Sequence, residues 1–205
     1  MKGLLFDADG VIQQPARGFL EAFTRLLPPG TREADRFLTE LLAAEKPSMT
    51  GERDFLEDLV PVLDRWGVAA HLDEILQIWT RIDVDPEMLA AIGRLRSAGV
   101  RCFLATNQQA RRGGHMAATL GYERVFERCF YSHRLGVAKP DPRYFAAIAG
   151  EVGLAPAELL FVDDKAQNVA GAREAGLHAA VFTAEFGQGA SVLTEILDRF
   201  GVGPV

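Results

Sequence analysis

Two carboxylates spaced two residues apart, Asp7 and Asp9, close the first apolar run of the chain, and a second acidic pair, Asp163-Asp164, closes a later one, Leu159-Leu160-Phe161-Val162. On an extended backbone, side chains two apart leave by the same face. Up to four carboxylates at one edge repel one another, and some must stay protonated or meet a cation. Oxygen ligands without histidine suit magnesium, which takes one or two carboxylates and keeps waters and phosphate oxygens. The four histidines (His71, His115, His133, His178) are scattered, with no zinc-like spacing. A carboxylate beside such an ion can attack phosphorus and form an aspartyl-phosphate. A second carboxylate two residues away can protonate the leaving oxygen and then deprotonate water. A hydroxyl such as Thr106 and an ammonium such as Lys139 can hold the equatorial phosphoryl oxygens, which is the positioning and charge neutralisation that phosphoryl transfer needs.

These residues require elements that bring them to one place. From residue 85 onward, helix and strand signals alternate. Asp85-Pro86 reads as an N-cap followed by Pro at the first helical position, and Gly99 as a C-cap. A strand, Val100 to Ala105, follows and delivers Thr106-Asn107. Asp141-Pro142 opens a helix ending near Gly153, before the strand Leu159–Val162; another helix ends at Gly176, before Ala179-Ala180-Val181-Phe182. Alternation of this kind implies a parallel sheet covered on both faces, and in such sheets ligands bind beyond the carboxyl ends of the strands. The polar clusters all fall at those ends.

Residues 17–82 have a different texture and read as helices only. Phe19, Ala22, Phe23, Leu26 and Leu27 form one apolar stripe, stopped by Pro28-Pro29-Gly30. Phe37, Leu38, Leu41 and Leu42 form a second; Phe55, Leu56, Leu59, Val60 and Leu63 a third, ended by Gly67; Leu72, Ile75, Leu76 and Trp79 a fourth. Short amphipathic helices bury such stripes against each other, so a small bundle is expected. The Gly113-Gly114 pair reads as a helix interruption; it lacks the Lys-Ser/Thr that follows in a P-loop.

The 205 residues suit one sizeable α/β domain carrying an insertion. A net charge of −6 argues against nucleic acid, for which a basic face is expected. No apolar stretch approaches the ~20 residues that span a bilayer, and the opening run meets a carboxylate too soon for a signal peptide. Cys102 and Cys129 have no C-x-x-C spacing and read as small buried hydrophobes of a reducing cytoplasm.

Phe6-Asp7-Ala8-Asp9-Gly10-Val11 resembles the first motif of the haloacid dehalogenase superfamily, Ala105-Thr106-Asn107 the second, Lys139-Pro140-Asp141-Pro142 the third and Phe161-Val162-Asp163-Asp164 the fourth, with Asn168 and Gly171-Ala172 extending the match. The helical insertion resembles the cap of the subgroup with sugar-phosphate phosphatases and β-phosphoglucomutase. The resemblance implies a Rossmann-like α/β core over 1–13 and 84–205, with a helical-bundle cap over 14–83. It implies Asp7 as nucleophile and magnesium ligand, and Asp9 as general acid/base whose carbonyl also reaches the metal. Thr106 and Lys139 would bind the phosphoryl group, aided by backbone donors of Ala8 and Asn107. Asp164 would be the further ligand, with Asp163 ligating directly or through water. Relatives often follow the first motif with Thr-Leu or Asp-Thr/Ser, whereas this chain has Val11-Ile12-Gln13-Gln14-Pro15; the departure falls on the cap hinge, and so on the substrate.

The expected activity is magnesium-dependent hydrolysis of a small phosphorylated metabolite by a monomer or weak homodimer. The alternatives are a phosphomutase, a dehalogenase, against which Asp9 argues, and a non-catalytic binding protein. Arg17, Lys46 and Arg53 are the cap-side candidates for substrate contact, though solvated surface is the simpler reading of each. Singly, Asp163-Asp164, Thr106-Asn107 and Asp141-Pro142 each read as helix caps; it is their convergence on one edge that speaks for chemistry.

Overall fold

β1 (Gly3–Phe6) is buried along its whole length and forms the centre of a five-stranded parallel sheet in the computed structural model, which describes residues 1–202. The other members are β4 (Arg101–Thr106), β5 (Arg128–Tyr131), β6 (Leu159–Asp163) and β7 (His178–Val181), in the order β5-β4-β1-β6-β7. β2 (Gln13–Pro15) and β3 (Ile82–Val84) form a separate antiparallel ribbon. The helices are α1 (Phe19–Thr24), α2 (Ala34–Ala43), α3 (Phe55–Arg65), α4 (Leu72–Trp79), α5 (Pro86–Ser97), α6 (Ala110–Thr119), α7 (Tyr122–Val125), α8 (Ser132–Leu135), α9 (Pro142–Val152), α10 (Ala166–Glu174) and α11 (Gly189–Arg199). None of the described helices is long and apolar enough to cross a membrane.

Side-chain alternation along the strands explains why both faces are covered. Leu4, Phe6, Cys102, Leu104, Leu160 and Val162 pack with residues of α5, α6, α7 and α11, while Leu5, Phe103, Ala105 and Phe161 pack with α9 and α10 on the other face. Asp85 caps α5 and Asp141 caps α9, each with Pro at the first helical position. The chain runs from β1 outward through β4 and β5, then returns to place β6 on the other side of β1. The crevice at this reversal is where an open α/β sheet binds ligands. Register makes it specific: Phe6 pairs with both Leu104 and Val162, so Asp7, Thr106 and Asp163 emerge at the same edge.

α1 to α4 bury their stripes against one another in a third core, in which the Trp79 ring lies 5.2 Å from Phe23 and 4.8 Å from Phe55. The β2–β3 ribbon carries the chain into and out of this bundle. The sequence gives no sign of the ribbon, and Ile82, read as the end of the helical region, lies in β3. α1 stops at Thr24, short of the predicted stripe: the amides of Leu26 and Leu27 bond three residues back, to Phe23 and Thr24, and Pro28 has no N–H to continue the α-helical ladder; Leu26 and Leu27 still pack onto the bundle. α6 runs unbroken through Gly113-Gly114, so these glycines do not interrupt it; the first lies against the His133 ring.

Gly171 in α10 faces the carbonyl of Pro140 so closely that an added Cβ would overlap backbone. Gly171→Ala must therefore push away the Lys139-Pro140 segment. A loss of about 1–3 kcal/mol of stability is expected from overpacking, measured by chemical denaturation.

Candidate active site

The loop after β1 turns sharply. The amides of Val11, Ile12 and Gln13 all donate to the Ala8 carbonyl, and Gly10 takes a positive φ of 82°. A Cβ on Gly10 would come within 2.6 Å of the Asp164 carboxylate, so only glycine allows both the turn and that approach. The loop leaves Asp7 buried and the Asp9 side chain 29% exposed.

Lys139 reaches this point from the segment between α8 and α9. Its Nζ lies 2.8 Å from Asp7 Oδ1 and 2.7 Å from Asp163 Oδ2, with the side chain 1% exposed. The Phe161 ring lies 5.1 Å from the ammonium. Asn107 fixes the lysine backbone in both directions: its Nδ2 donates to the Lys139 carbonyl at 2.8 Å, and its Oδ1 accepts from the Lys139 amide at 2.9 Å. Sequence reasoning assigned Asn107 a backbone donor; its side chain has this structural task. The Ala8 amide donates to Asp7 Oδ1 at 2.7 Å.

Asp163 and Asp164 differ sharply. Asp163 is buried and accepts from Lys139, from the Lys165 amide and from Asn168 Nδ2, so both its oxygens are engaged. Asp164 Oδ1 is buried without a hydrogen-bond partner, a costly arrangement unless a ligand meets it. Asp7, Asp163 and Asp164 each offer an oxygen, and these lie within 4.8 Å of one another. One lysine cannot neutralise three carboxylates, so this donor set fits a hard divalent cation.

The titration behaviour follows from the same surplus. Burial raises Asp7 from 3.8 to about 7, opposed by Lys139 and reinforced by Asp163 and Asp9. Burial also raises Asp164, with Lys165 opposing. Burial alone would lower Lys139, but Asp7 and Asp163 reverse this and raise it. Asp9 runs opposite to Asp7: burial pushes it up, and the Arg112 guanidinium, helped by Gln13 and Gln108, brings it below its ordinary value.

Arg112, in α6, is the main feature that sequence reasoning missed. It holds Asp9 by a two-pronged fork, Nη1 to Oδ2 at 2.7 Å and Nη2 to Oδ1 at 2.8 Å. Gln108 Nε2 donates to Asp9 Oδ2 at 2.7 Å and Gln13 Nε2 to Oδ1 at 2.9 Å. Gln108 also reaches Thr106 Oγ1 at 3.2 Å. A small cleft is lined by Asp7, Asp9, Thr106 and Lys139 together with Lys165 and Gln167. Of the cap-side candidates, Arg53 is paired with Asp58 at 3.1 Å and is half exposed; neither Arg17 nor Lys46 lines this cleft. Cys102 and Cys129 are free thiols, both pushed up to about 12 by burial.

The family model of haloacid dehalogenase-like hydrolases matches residues 1–176. A glyceraldehyde 3-phosphate phosphatase from Methanopyrus kandleri is 28% identical over 204 residues, covering 86% of this chain and 82% of the relative. A sesquiterpene phosphatase, astK, from Aspergillus oryzae is 31% identical over 94 residues, or 45% of this chain. The chain spans 47% of that protein, and 9% of the acyl-CoA dehydrogenase family member 10 of Mus musculus that it also matches. A HAD family enzyme from Bacteroides thetaiotaomicron, solved with magnesium and inorganic phosphate, superposes with a TM-score of 0.77, covering 94% of this chain and 98% of that one. At 22% identity that likeness is one of fold.

Asp7 binds a proton more tightly folded than unfolded, so its contribution to metal-free stability is lost as pH rises from about 4 through about 7. A divalent cation bound among the Asp7, Asp163 and Asp164 carboxylates would have to displace that proton. Magnesium should therefore raise the melting temperature more at pH 8 than at pH 5.5, a difference that thermal denaturation with and without chelator measures.

Proposed function

The chain belongs to the haloacid dehalogenase-like hydrolase family, and we propose that it is a magnesium-dependent phosphatase of a small phosphorylated metabolite, working through a phospho-aspartate on Asp7. The observation that carries the reading is the buried Asp7–Lys139–Asp163 triad with the partnerless oxygen of Asp164 beside it. The phosphatase names of its relatives agree with it.

Asp7, Asp164 and the carbonyl of Asp9 would hold magnesium. When bound, the ion supplies positive charge that neutralises the carboxylates and the phosphoryl oxygens. Asp163 would act by holding Lys139, which its contacts favour over direct ligation. The Lys139 ammonium and the Thr106 hydroxyl would bind the phosphoryl oxygens, and the Lys139 ammonium would also keep Asp7 in place. Attack by an Asp7 oxygen on phosphorus would break the ester bond, the leaving oxygen taking a proton that Asp9, ionised in the resting site, accepts beforehand from the incoming phosphate monoester. Water then attacks phosphorus, giving its proton to Asp9, and Asp7 is released with inorganic phosphate. Lys165 and Gln167, which line the cleft and are exposed, would meet the remainder of the substrate.

Phosphate release from p-nitrophenyl phosphate and a panel of metabolite phosphates tests this. Turnover should require magnesium and vanish in Asp7→Asn, while Asp9→Asn should lower it by about 10²–10⁴-fold. A folded wild type that binds magnesium but releases no phosphate from any of them would refute hydrolysis and move weight to phosphoryl transfer between metabolites.

A further inference from the structure

Asp9 is held in an unusual way. A carboxylate offers about four lone-pair sites, and here all are met: two by the Arg112 fork, one by Gln108 and one by Gln13. The two amides are neutral donors and the guanidinium is charged, so the amides are the weaker partners. A leaving oxygen or a water reaching Asp9 can replace an amide while the fork stays. Gln108 is placed for that exchange, because the same Nε2 bridges Asp9 and the Thr106 hydroxyl. A phosphoryl group seated at Thr106 competes for that amide.

Arg112 is itself held from the cap side. Its Nε donates to the Trp79 carbonyl at 3.2 Å, at the C-terminal end of α4, where helix carbonyls lack internal partners and a cation is favoured. Its Nη1 also donates to Gln108 Oε1 at 2.7 Å. The side chain is buried to 9% exposure. The Trp79 indole donates to Glu45 at 2.9 Å, and Glu45 is a second negative charge acting on Arg112. One guanidinium thus joins the side chain of Asp9 to the last turn of the cap bundle.

We propose that Arg112 is the positioning residue for Asp9, fixing its carboxylate toward the phosphoryl site by a fork that is anchored on the cap through the Trp79 carbonyl. The inference rests on the phosphatase reading above and goes beyond it, since Arg112 touches neither phosphorus nor metal in that scheme. Lysine is a poor substitute, because the three donors of its ammonium sit on one nitrogen and cannot form two parallel bonds to Asp9 while also reaching Trp79.

The test uses leaving groups of different basicity with full-length wild type, Arg112→Met and Arg112→Lys. Nitrophenolate leaves without a proton, whereas phenolate needs one. Loss of Asp9 positioning should lower kcat/KM for phenyl phosphate by about 10²-fold or more and leave kcat/KM for p-nitrophenyl phosphate nearly unchanged. The kcat for p-nitrophenyl phosphate should fall with a burst of nitrophenol, because hydrolysis of the phospho-aspartate still needs the Asp9 base. Arg112→Lys should show the same signature more weakly, and it stands in if Arg112→Met fails to melt cooperatively. Equal losses on both substrates without a burst, or no loss on either, overturn the inference while the wild type stays active. A wild type inactive on both substrates overturns the phosphatase reading, and this inference with it.

Discussion

The Lys139 ammonium, buried between Asp7 and Asp163, is the constraint around which the edge of the sheet is arranged. A buried ion pair is stable only when geometry and further hydrogen bonds offset the desolvation of its members, and removing one partner costs about 3–5 kcal/mol. Each neighbour meets part of that demand. The adjacency of β1 and β6, in register at Phe6 and Val162, sets the spacing of the two carboxylates. Asn107 fixes the lysine backbone, Asn168 and the Lys165 amide saturate Asp163, and Gly171 leaves room for the Lys139-Pro140 segment. What remains is one more negative charge than the lysine can meet, with Asp164 alongside. The preference of the site for a proton or a divalent cation is a consequence of that count.

The same loop carries a second carboxylate with the opposite electrostatics. Asp7 is driven up by burial and by the carboxylates around it, while Asp9 is brought down by Arg112. Two like groups on one loop are thus held in different titration states by their surroundings. The separation arises because burial and the Asp163 charge outweigh Lys139 at Asp7, whereas burial at Asp9 is outweighed by Arg112 of α6, helped by Gln13 and Gln108. Two carboxylates adjacent on one loop thus answer to different parts of the fold.

The legibility of these parts in the sequence follows from their physics. Asp7, Thr106 and Asp163 could be placed together because they end apolar runs, and parallel strands deliver their ends to one edge. Lys139 was named for its chemistry, but with no strand to place it, only the family resemblance located it at the site. Arg112 was not found: it sits in Ala110-Arg111-Arg112-Gly113-Gly114, where a basic residue on a glycine-bearing helix reads as solvated surface, and its partner is 103 residues away. Gln13 was noted only as a departure from the usual motif, yet it donates to Asp9 and accepts from the Tyr122 hydroxyl at 2.6 Å. β2, which ends in Pro15, and β3 have three residues each and are too short for alternation to register. The division of labour between Asp163 and Asp164 was also beyond the sequence, since it depends on which oxygens find donors.

The turn after β1 explains why Asp9 needs a distant partner at all. Its backbone is already fixed, by three amides converging on the Ala8 carbonyl, by the Gly10 amide donating to the Gln13 carbonyl at 2.8 Å, and by the bridge between Asp9 and Gln13. Only the side-chain torsions remain free, and a carboxylate 29% open to solvent would otherwise sample several rotamers. A planar fork removes that freedom, because it accepts a carboxylate in one plane and one orientation. Since the fork is carried by α6, steadied by Gln108 and also bonded to α4, it links the Asp9 carboxylate to the α1–α4 bundle. Any shift of the α1–α4 bundle would have to move Arg112 or break its bond to Trp79, and either change would reach Asp9 before Asp7, whose lysine is held between β1 and β6.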